Sequence, residues 1–148
     1  MGFNYTGSYQ DEATTRQRIS TGECYVLVER GALVGTIMLY PPHGQPWPAE
    51  KWYARPGVAS CGQFAVAPEL QGRGRGSRLM DFVERRAAEI GSAELALDTS
   101  EGADHLIRFY RNRGYRFIEF IQHDGKTYRS AIFSKTLPAQ TTLGHLTG

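Results

Sequence analysis

The 148-residue chain has little of several features that mark membrane, secreted or disulfide-rich proteins. Its longest nearly apolar stretch, Ala32 to Tyr40, is far shorter than the roughly 18 residues that a membrane-spanning helix needs. Its first residues, MGFNYT, lack the apolar segment of a secretory signal peptide. The only two cysteines, Cys24 and Cys61, are expected to be reduced thiols. We therefore expect a cytoplasmic protein with no membrane partner.

Lysine is also scarce, with 3 lysines against 14 arginines, and the net charge is only +2. A small net charge does not by itself imply a nucleic-acid partner. Five arginines raise that possibility because they are close together in the chain: Arg73, Arg75, Arg78, Arg85 and Arg86. The chain has no nucleic-acid-binding module pattern, and codon usage in a GC-rich genome explains most arginines, so we expect no nucleic-acid partner.

What is present is the composition of an ordinary globular domain. Hydrophobic residues make up 41% of the chain and aromatic residues 11%, which excludes global disorder. The 17 glycines show no three-residue period, which excludes a collagen-like protein. The length predicts a single domain over residues 1–137, with a short, atypical region at 1–22 and a C-terminal tail at 138–148.

The hydrophobic pattern predicts alternating strands and helices. Residues 9–20 are interpreted as a short helix with a weak apolar stripe. Strands are predicted at 24–29, 33–40, 59–66, 93–98, 115–121 and 127–137, and helices at 77–90 and 104–113. Residues 41–57 hold five of the seven prolines and predict a long loop, either a lid or a surface loop pinned by Trp47 and Trp52. A strand-helix-strand crossover between two hairpins predicts a mixed sheet of the α/β class.

The segment that indicates chemistry is Gln71-Gly72-Arg73-Gly74-Arg75-Gly76-Ser77, between a predicted strand and a predicted helix. Alternate glycines let the backbone turn tightly, and the helix N-terminus presents unpaired N–H groups and partial positive charge. Such a helix end binds phosphate. No lysine follows the glycines as in a P-loop, and Ser77 stands where a dinucleotide motif needs glycine. The alternative is a tight turn without a ligand.

The same segment resembles a known family. Gln71-x-x-Gly74-x-Gly76 resembles the acyl-CoA signature of the GCN5-related N-acetyltransferases, and the preceding strand resembles theirs up to the ending Val66-Ala67-Pro68-Glu69. Downstream, Phe109-Tyr110-x-x-x-Gly114-Tyr115 is similar to the helix-to-strand junction of that family. The resemblance covers about residues 23–137.

The resemblance implies a mixed, centrally splayed β-sheet flanked by helices, with acetyl-CoA as co-substrate in the gap. Backbone at Ala65, Val66 and Ala67 is expected to pair with the pantetheine. The diphosphate is expected on the amides of the glycine segment, which places seven more residues in the cofactor site: Gln71, Gly72, Arg73, Gly74, Arg75, Gly76 and Ser77. Tyr110 is expected beside the sulfur.

Two departures from the family pattern stand out. Ala103 occupies a position where the family usually has asparagine near the cofactor. Only residues 1–22 precede the first clear strand, where the family usually has a further strand and helix. Either these residues form a shortened version or the first strand is missing, and a missing strand would leave a sheet edge for a second subunit to cover, in a homodimer.

The expected reaction is direct transfer of the acetyl group to a primary amine of a small molecule or a peptide. Tyr110 is the predicted acid or stabiliser of the leaving thiolate, because a phenol donates a hydrogen bond as charge develops. The base stays open among four residues, Asp98, Glu101, Glu50 and His43, and a water chain to a backbone carbonyl would also serve. No metal-ligand spacing is present, so no metal is expected. The alternative function is a CoA-binding sensor without catalysis. The resemblance implies acceptor contacts from N-terminal helices and from the loop at 41–57. There Trp47, Trp52 and Tyr53 either hold an apolar or cationic acceptor against their rings or pack within the lid.

Overall fold

The structure of the protein, a computed structural model, describes residues 3–6, 12–18, 22–42, 52–67, 74–122, 125 and 127–139. For residues 3–6 and 12–18 it describes the backbone alone. The eight strands are β1 (Phe3–Thr6), β2 (Glu12–Arg18), β3 (Glu23–Glu29), β4 (Ala32–Tyr40), β5 (Val58–Val66), β6 (Glu94–Ser100), β7 (Arg116–Gln122) and β8 (Arg129–Thr136). The two helices are α1 (Arg75–Glu89) and α2 (Asp104–Asn112).

All eight strands form one sheet in the order β1-β2-β3-β4-β5-β6-β8-β7. Only β5 and β6 pair in parallel, across the crossover that contains α1, and the other neighbours are antiparallel. This mixed sheet with helices confirms the predicted fold class.

The N-terminal region differs from the sequence-based prediction. The helix predicted over residues 9–20 is wrong: Glu12–Arg18 is the strand β2, paired along its whole length with β3. The first strand is not missing either, because Phe3–Thr6 pairs with β2 as β1. A weak apolar stripe gives a helix little to bury, whereas Thr14 and Thr15 suit a strand that extends an existing sheet.

The main core lies between one face of the sheet and the two helices. Helix α1 buries one stripe of five residues there: Leu79, Met80, Val83, Ala87 and Ala88. The helix ends at Glu89 with Ile90 as its C-cap, and Gly91 follows with a φ of +89°, the left-handed conformation that glycine adopts without strain. Helix α2 adds the buried Tyr110 to the same core. Among the described residues, neither helix has the length and apolar content needed to cross a bilayer.

A second, smaller core lies on the opposite face. It consists of Tyr53 from the loop before β5 and four strand residues: Val58, Ala96, Ile121 and Ile132. Trp52 packs against it, with the Arg55 guanidinium 4.7 Å from the centre of its ring. Residues 52–57, at the C-terminal end of the predicted loop, therefore cover this face of the sheet. Trp47 lies outside the described residues.

Candidate functional site

The sheet parts between its two parallel strands. Strands β5 and β6 are paired only at Val58–Glu94, Ala59–Leu95 and Ser60–Ala96. Beyond these pairs, β5 continues to Val66 alongside β4, and β6 continues to Ser100 alongside β8. The six further residues of β5 and the four of β6 therefore form the sides of a gap.

A β-bulge accompanies the parting. The β4–β5 register shifts between Thr36 and Met38, and Gln63 has a φ of +49°, which is unusual for a residue other than glycine. The Thr36 hydroxyl donates a hydrogen bond to the Gln63 carbonyl over 3.3 Å. A bulge increases the local twist of a strand, which helps to turn the end of β5 away from β6.

Helix α1 begins at the mouth of this gap. Gly74 precedes it with a φ of +85°, and the first intrahelical bond joins the Arg78 amide to the Gly74 carbonyl at 3.0 Å. The amides of Arg75, Gly76 and Ser77 therefore lie in the first turn, where no intrahelical acceptor exists. These amides and the helix dipole favour an anionic group.

A cleft of about 580 Å³ joins the end of β5 to the start of α1. It brings together five of the predicted cofactor residues: Ala65, Val66, Gly74, Gly76 and Ser77. The Ala67 amide donates to the Val34 carbonyl at 2.8 Å and so belongs to the β4–β5 ladder. Gln71, Gly72 and Arg73 lie outside the described residues.

The cleft also has a wall that the sequence reasoning missed. Phe64 and three residues of α2 contribute to it: His105, Leu106 and Phe109. The Phe64 and Phe109 rings stack with centroids 6.1 Å apart. A Cβ on Gly76 would lie 3.1 Å from the tip of Phe64, so glycine lets this ring approach the helix. Phe109 belongs to the helix-to-strand junction that the sequence analysis identified, but nothing in the sequence placed it or the other three residues in the cleft lining.

Arg75, a predicted cofactor residue, directs its side chain to β3. Its Nε donates to Glu29 Oε2 at 2.9 Å and its Nη2 to Glu29 Oε1 at 2.7 Å. The hydrogen bond from Arg75 lowers the pKa of Glu29. Arg78 also lies 4.0 Å from Glu29, and Arg86 pairs with Glu23, so three of the five clustered arginines pair with carboxylates of β3.

Tyr110 lies in the core near Cys61 of β5 and Asp98 of β6, is 5% exposed, and is not among the residues that line the cleft. Its ring contacts those of Phe109 and Tyr115, at centroid distances of 5.3 and 5.8 Å. Burial raises its pKa above the ordinary value of 10, and the nearby Cys61 and Asp98 raise it further. The phenol is therefore a neutral hydrogen-bond donor at physiological pH.

The structure separates the four candidate bases. Asp98 lies on β6 two residues beyond the last β5–β6 pair, and its Oδ2 accepts a 2.8 Å hydrogen bond from the Tyr53 hydroxyl. Glu101 lies in the turn before α2 and accepts two hydrogen bonds from Arg129, which lower its pKa. Glu50 and His43 lie outside the described residues. Asp98 is thus the candidate at the gap.

The described residues contain no group of three or more His, Cys, Asp or Glu side chains that could hold a metal ion. The described part of the site has four components: the free amides of the first helical turn, the apolar cleft, the neutral phenol of Tyr110 and the carboxylate of Asp98. Together they can bind a phosphate-bearing ligand with an extended apolar arm and handle a proton at its end.

Comparisons with known proteins agree with this arrangement. The family model of the acetyltransferase (GNAT) family matches residues 2–115. The chain is 28% identical over 118 residues to S-(2-succino)cysteine N-acetyltransferase of Bacillus subtilis (strain 168), covering 78% of this chain and 67% of that protein.

Two solved structures share the fold. The IAA acetyltransferase from Bacillus cereus ATCC 14579 has a TM-score of 0.62 and 22% identity, with 79% of each chain covered. A GNAT family acetyltransferase from Elizabethkingia anophelis, with acetyl-CoA bound, has a TM-score of 0.62 and 21% identity, with 80% of this chain and 78% of that chain covered.

Proposed function

Because the chain belongs to the acetyltransferase (GNAT) family, it is an acetyl-CoA-dependent N-acetyltransferase, and we propose that it acetylates a primary amine of a small molecule or peptide by direct transfer. The observation that carries the proposal is the cleft that joins the parted sheet to the first turn of α1. In this proposal, acetyl-CoA occupies that cleft and the amine enters the gap from the opposite side.

The cofactor contacts follow from the cleft lining. The diphosphate lies on the first-turn amides of Arg75, Gly76 and Ser77, where the helix dipole is favourable. The pantetheine arm runs along Ala65 and Val66, with Phe64 and Phe109 as the apolar wall. Residues 71–73 complete the anion site in the proposal, on the grounds of the glycine pattern alone.

Two side chains carry the proton transfers. The amine nitrogen attacks the thioester carbonyl carbon, the carbon–sulfur bond breaks, and the amine proton passes to Asp98, directly or through a water molecule. The Tyr110 phenol donates a hydrogen bond to the sulfur as its negative charge develops. A thiol has a pKa of about 8.5, and burial raises the pKa of Tyr110 further above that value. Tyr110 therefore stabilises the thiolate and does not fully transfer its proton.

The acceptor is proposed to approach the face that bears Tyr53. Tyr53 holds the Asp98 carboxylate in place, and the carboxylate attracts an ammonium group before it is deprotonated. The B. subtilis relative is named for an acceptor with an amino group, S-(2-succino)cysteine, which makes amino acid derivatives the first acceptors to test.

The test combines binding with turnover. Calorimetry with CoA measures affinity, and mass spectrometry detects acetylated products from acetyl-CoA and a panel of amino acid derivatives, polyamines and peptides. We expect CoA to bind and at least one amine to be acetylated. CoA binding with no product from any amine would favour the sensor function, and no CoA binding would refute the cofactor site.

Cytoplasmic location and a homodimer remain proposals. The argument for the homodimer was a missing first strand, and β1 and β2 remove that argument. Light scattering of the purified protein tests the oligomeric state, and a monomer at micromolar concentration would contradict the homodimer.

A further inference from the structure

The arginine that opens α1 is tied to a strand outside the cleft. The Arg75 guanidinium makes a two-point contact with the carboxylate of Glu29, the last residue of β3. The pair is mostly buried, with the Arg75 side chain 21% exposed and the Glu29 side chain 17% exposed. Two-point arginine–carboxylate contacts fix direction as well as distance, so this pair sets where the helix begins relative to β3.

This end of the helix has no side-chain cap, and a second arginine of its first turn also faces Glu29, with Arg78 Nη1 4.0 Å from Glu29 Oε2. Gly74 precedes the helix with no side-chain hydrogen bond to cap it, and the first turn contains no acidic residue. Glycines flank Arg75 on both sides, at positions 74 and 76, and glycine allows the backbone many conformations. A cation at the first helical position is unfavourable for the helix dipole, and the Glu29 carboxylate supplies the compensating negative charge.

We propose that Glu29 and Arg75 are positioning residues that hold the first turn of α1 in the geometry that binds the diphosphate of CoA. Neither side chain contacts the phosphates. The contribution of Arg75 to cofactor binding is made through Glu29 and through its own backbone amide. This inference rests on the proposed function, since it requires that the first turn of α1 is the diphosphate site.

The competing explanation predicts the opposite sign. If Arg75 leaves Glu29 and binds phosphate directly, Glu29 competes with the cofactor for the guanidinium, and its removal strengthens CoA binding. If the pair positions the helix, removal of Glu29 weakens CoA binding. Glu29→Gln therefore distinguishes the two explanations.

The experiment measures the dissociation constant of CoA by calorimetry and kcat and KM for both substrates. For Glu29→Gln and Arg75→Gln we expect the CoA dissociation constant and the acetyl-CoA KM to rise about tenfold, the loss typical of one charge-assisted contact. The kcat and the amine KM should stay within about twofold of wild type, because the pair does not touch the reacting atoms. Arg85→Gln, which removes an exposed arginine from the same helix, is the matched control and should leave all constants unchanged.

A second set of variants exchanges the charges of residues 29 and 75. Glu29→Arg and Arg75→Glu alone place like charges opposite each other, and the double variant restores an opposite pair. We expect the double variant to bind CoA more tightly than either single variant. Circular dichroism verifies folding, and Arg75→Lys, which keeps the charge, supplies a milder variant with an intermediate CoA affinity.

The outcomes separate this inference from the proposed function. Tighter CoA binding by Glu29→Gln, wild-type binding by Arg75→Gln, or no recovery in the double variant would each overturn the positioning role. Failure of the wild-type protein to bind CoA would instead refute the proposed function.

Discussion

Tyr110 has a packing role in the structure and a chemical role in the proposed function. Its ring belongs to an aromatic stack with Phe109 and Tyr115, and its hydroxyl lies among groups that raise its pKa. Tyr115 is equally buried, but its hydroxyl donates to Glu84 Oε2 at 2.8 Å. The two tyrosines therefore share an environment and differ in the partner of the hydroxyl.

For Tyr110→Phe we expect kcat to fall about 100-fold with little change in the acetyl-CoA KM, because the phenol acts only as charge develops on sulfur. Steady-state kinetics at saturating amine measures both constants. Tyr115→Phe is the matched control and should keep kcat within about twofold while lowering the free energy of unfolding by about 1 kcal/mol. Equal kcat for Tyr110→Phe and wild type would leave Tyr110 a packing residue.

Asp98 is the second residue whose role the site geometry predicts. For Asp98→Asn we expect kcat to fall about 100-fold, because an amide cannot take the amine proton. The CoA dissociation constant should not change, since Asp98 is not part of the cleft lining. Glu101→Gln is the control carboxylate, and its kcat should match wild type. An Asp98→Asn variant with wild-type kcat would return the search for a base to His43 and Glu50.

At the scale of elements, the first turn of α1 is the part of the fold that the glycine pattern predicted best. The pattern placed a tight turn directly before a helix, and Gly74 adopts the left-handed conformation there. An added Cβ at Gly74 would meet no heavy atom within 4 Å, so substitution is limited by backbone conformation and charge rather than by space.

Gly74→Asp and Gly74→Asn form a matched pair, since both side chains tolerate the left-handed conformation and differ in charge. We expect Gly74→Asp to weaken CoA binding about 100-fold more than Gly74→Asn, because a carboxylate repels the diphosphate at close range. Its melting temperature should be no lower than that of Gly74→Asn, because a negative charge at a helix N-terminus is favourable. Calorimetry and thermal unfolding measure the two effects, and equal CoA affinities would place the diphosphate elsewhere.

The N-terminal strands show the limit of prediction at this scale. Residues 9–20 carry polar side chains with a weak helical stripe, and nothing local excludes a helix. Pairing with β3 over seven residues decides the outcome, and the polar pattern of residues 9–20 does not show this pairing.

For the whole molecule, the carboxylates that join elements determine stability in acid. Glu94 on β6 is an example: burial raises its pKa, but hydrogen bonds from Ser134, Thr136 and Arg116 outweigh burial and lower the pKa below its ordinary 4.5. A carboxyl whose pKa is lowered by folding stabilises the folded state above its unfolded pKa. That contribution is lost as the pH falls through the folded value.

We therefore expect the free energy of unfolding to be nearly constant at neutral pH and to decline as the pH falls below about 4.5. Glu94→Gln should be less stable than wild type at pH 7 and should lose less stability in acid, because it cannot be protonated. Urea unfolding between pH 3 and pH 7 tests both statements. The exposed Glu89→Gln is the control, and an acid dependence of Glu94→Gln identical to that of wild type would contradict the assignment.

Local pattern alone was enough to locate most elements and the chemistry-bearing segments. Apolar and β-rich runs predicted β3 to β8 to within a few residues, helical spacing predicted α1 and α2, and the glycine segment with the Phe109-Tyr110 junction predicted the family and its cofactor. These features are visible in sequence because each depends on residues close together in the chain.

Tertiary structure decided what depends on contacts between elements. It made β2 a strand by pairing it with β3, bound Arg75 to Glu29 across 46 positions, and brought Tyr53 to Asp98 across 45. It also stacked Phe64 of β5 against Phe109 of α2, and these two rings line the cleft. Such contacts form only when the sheet assembles, because their energy comes from partners that no short window of sequence contains.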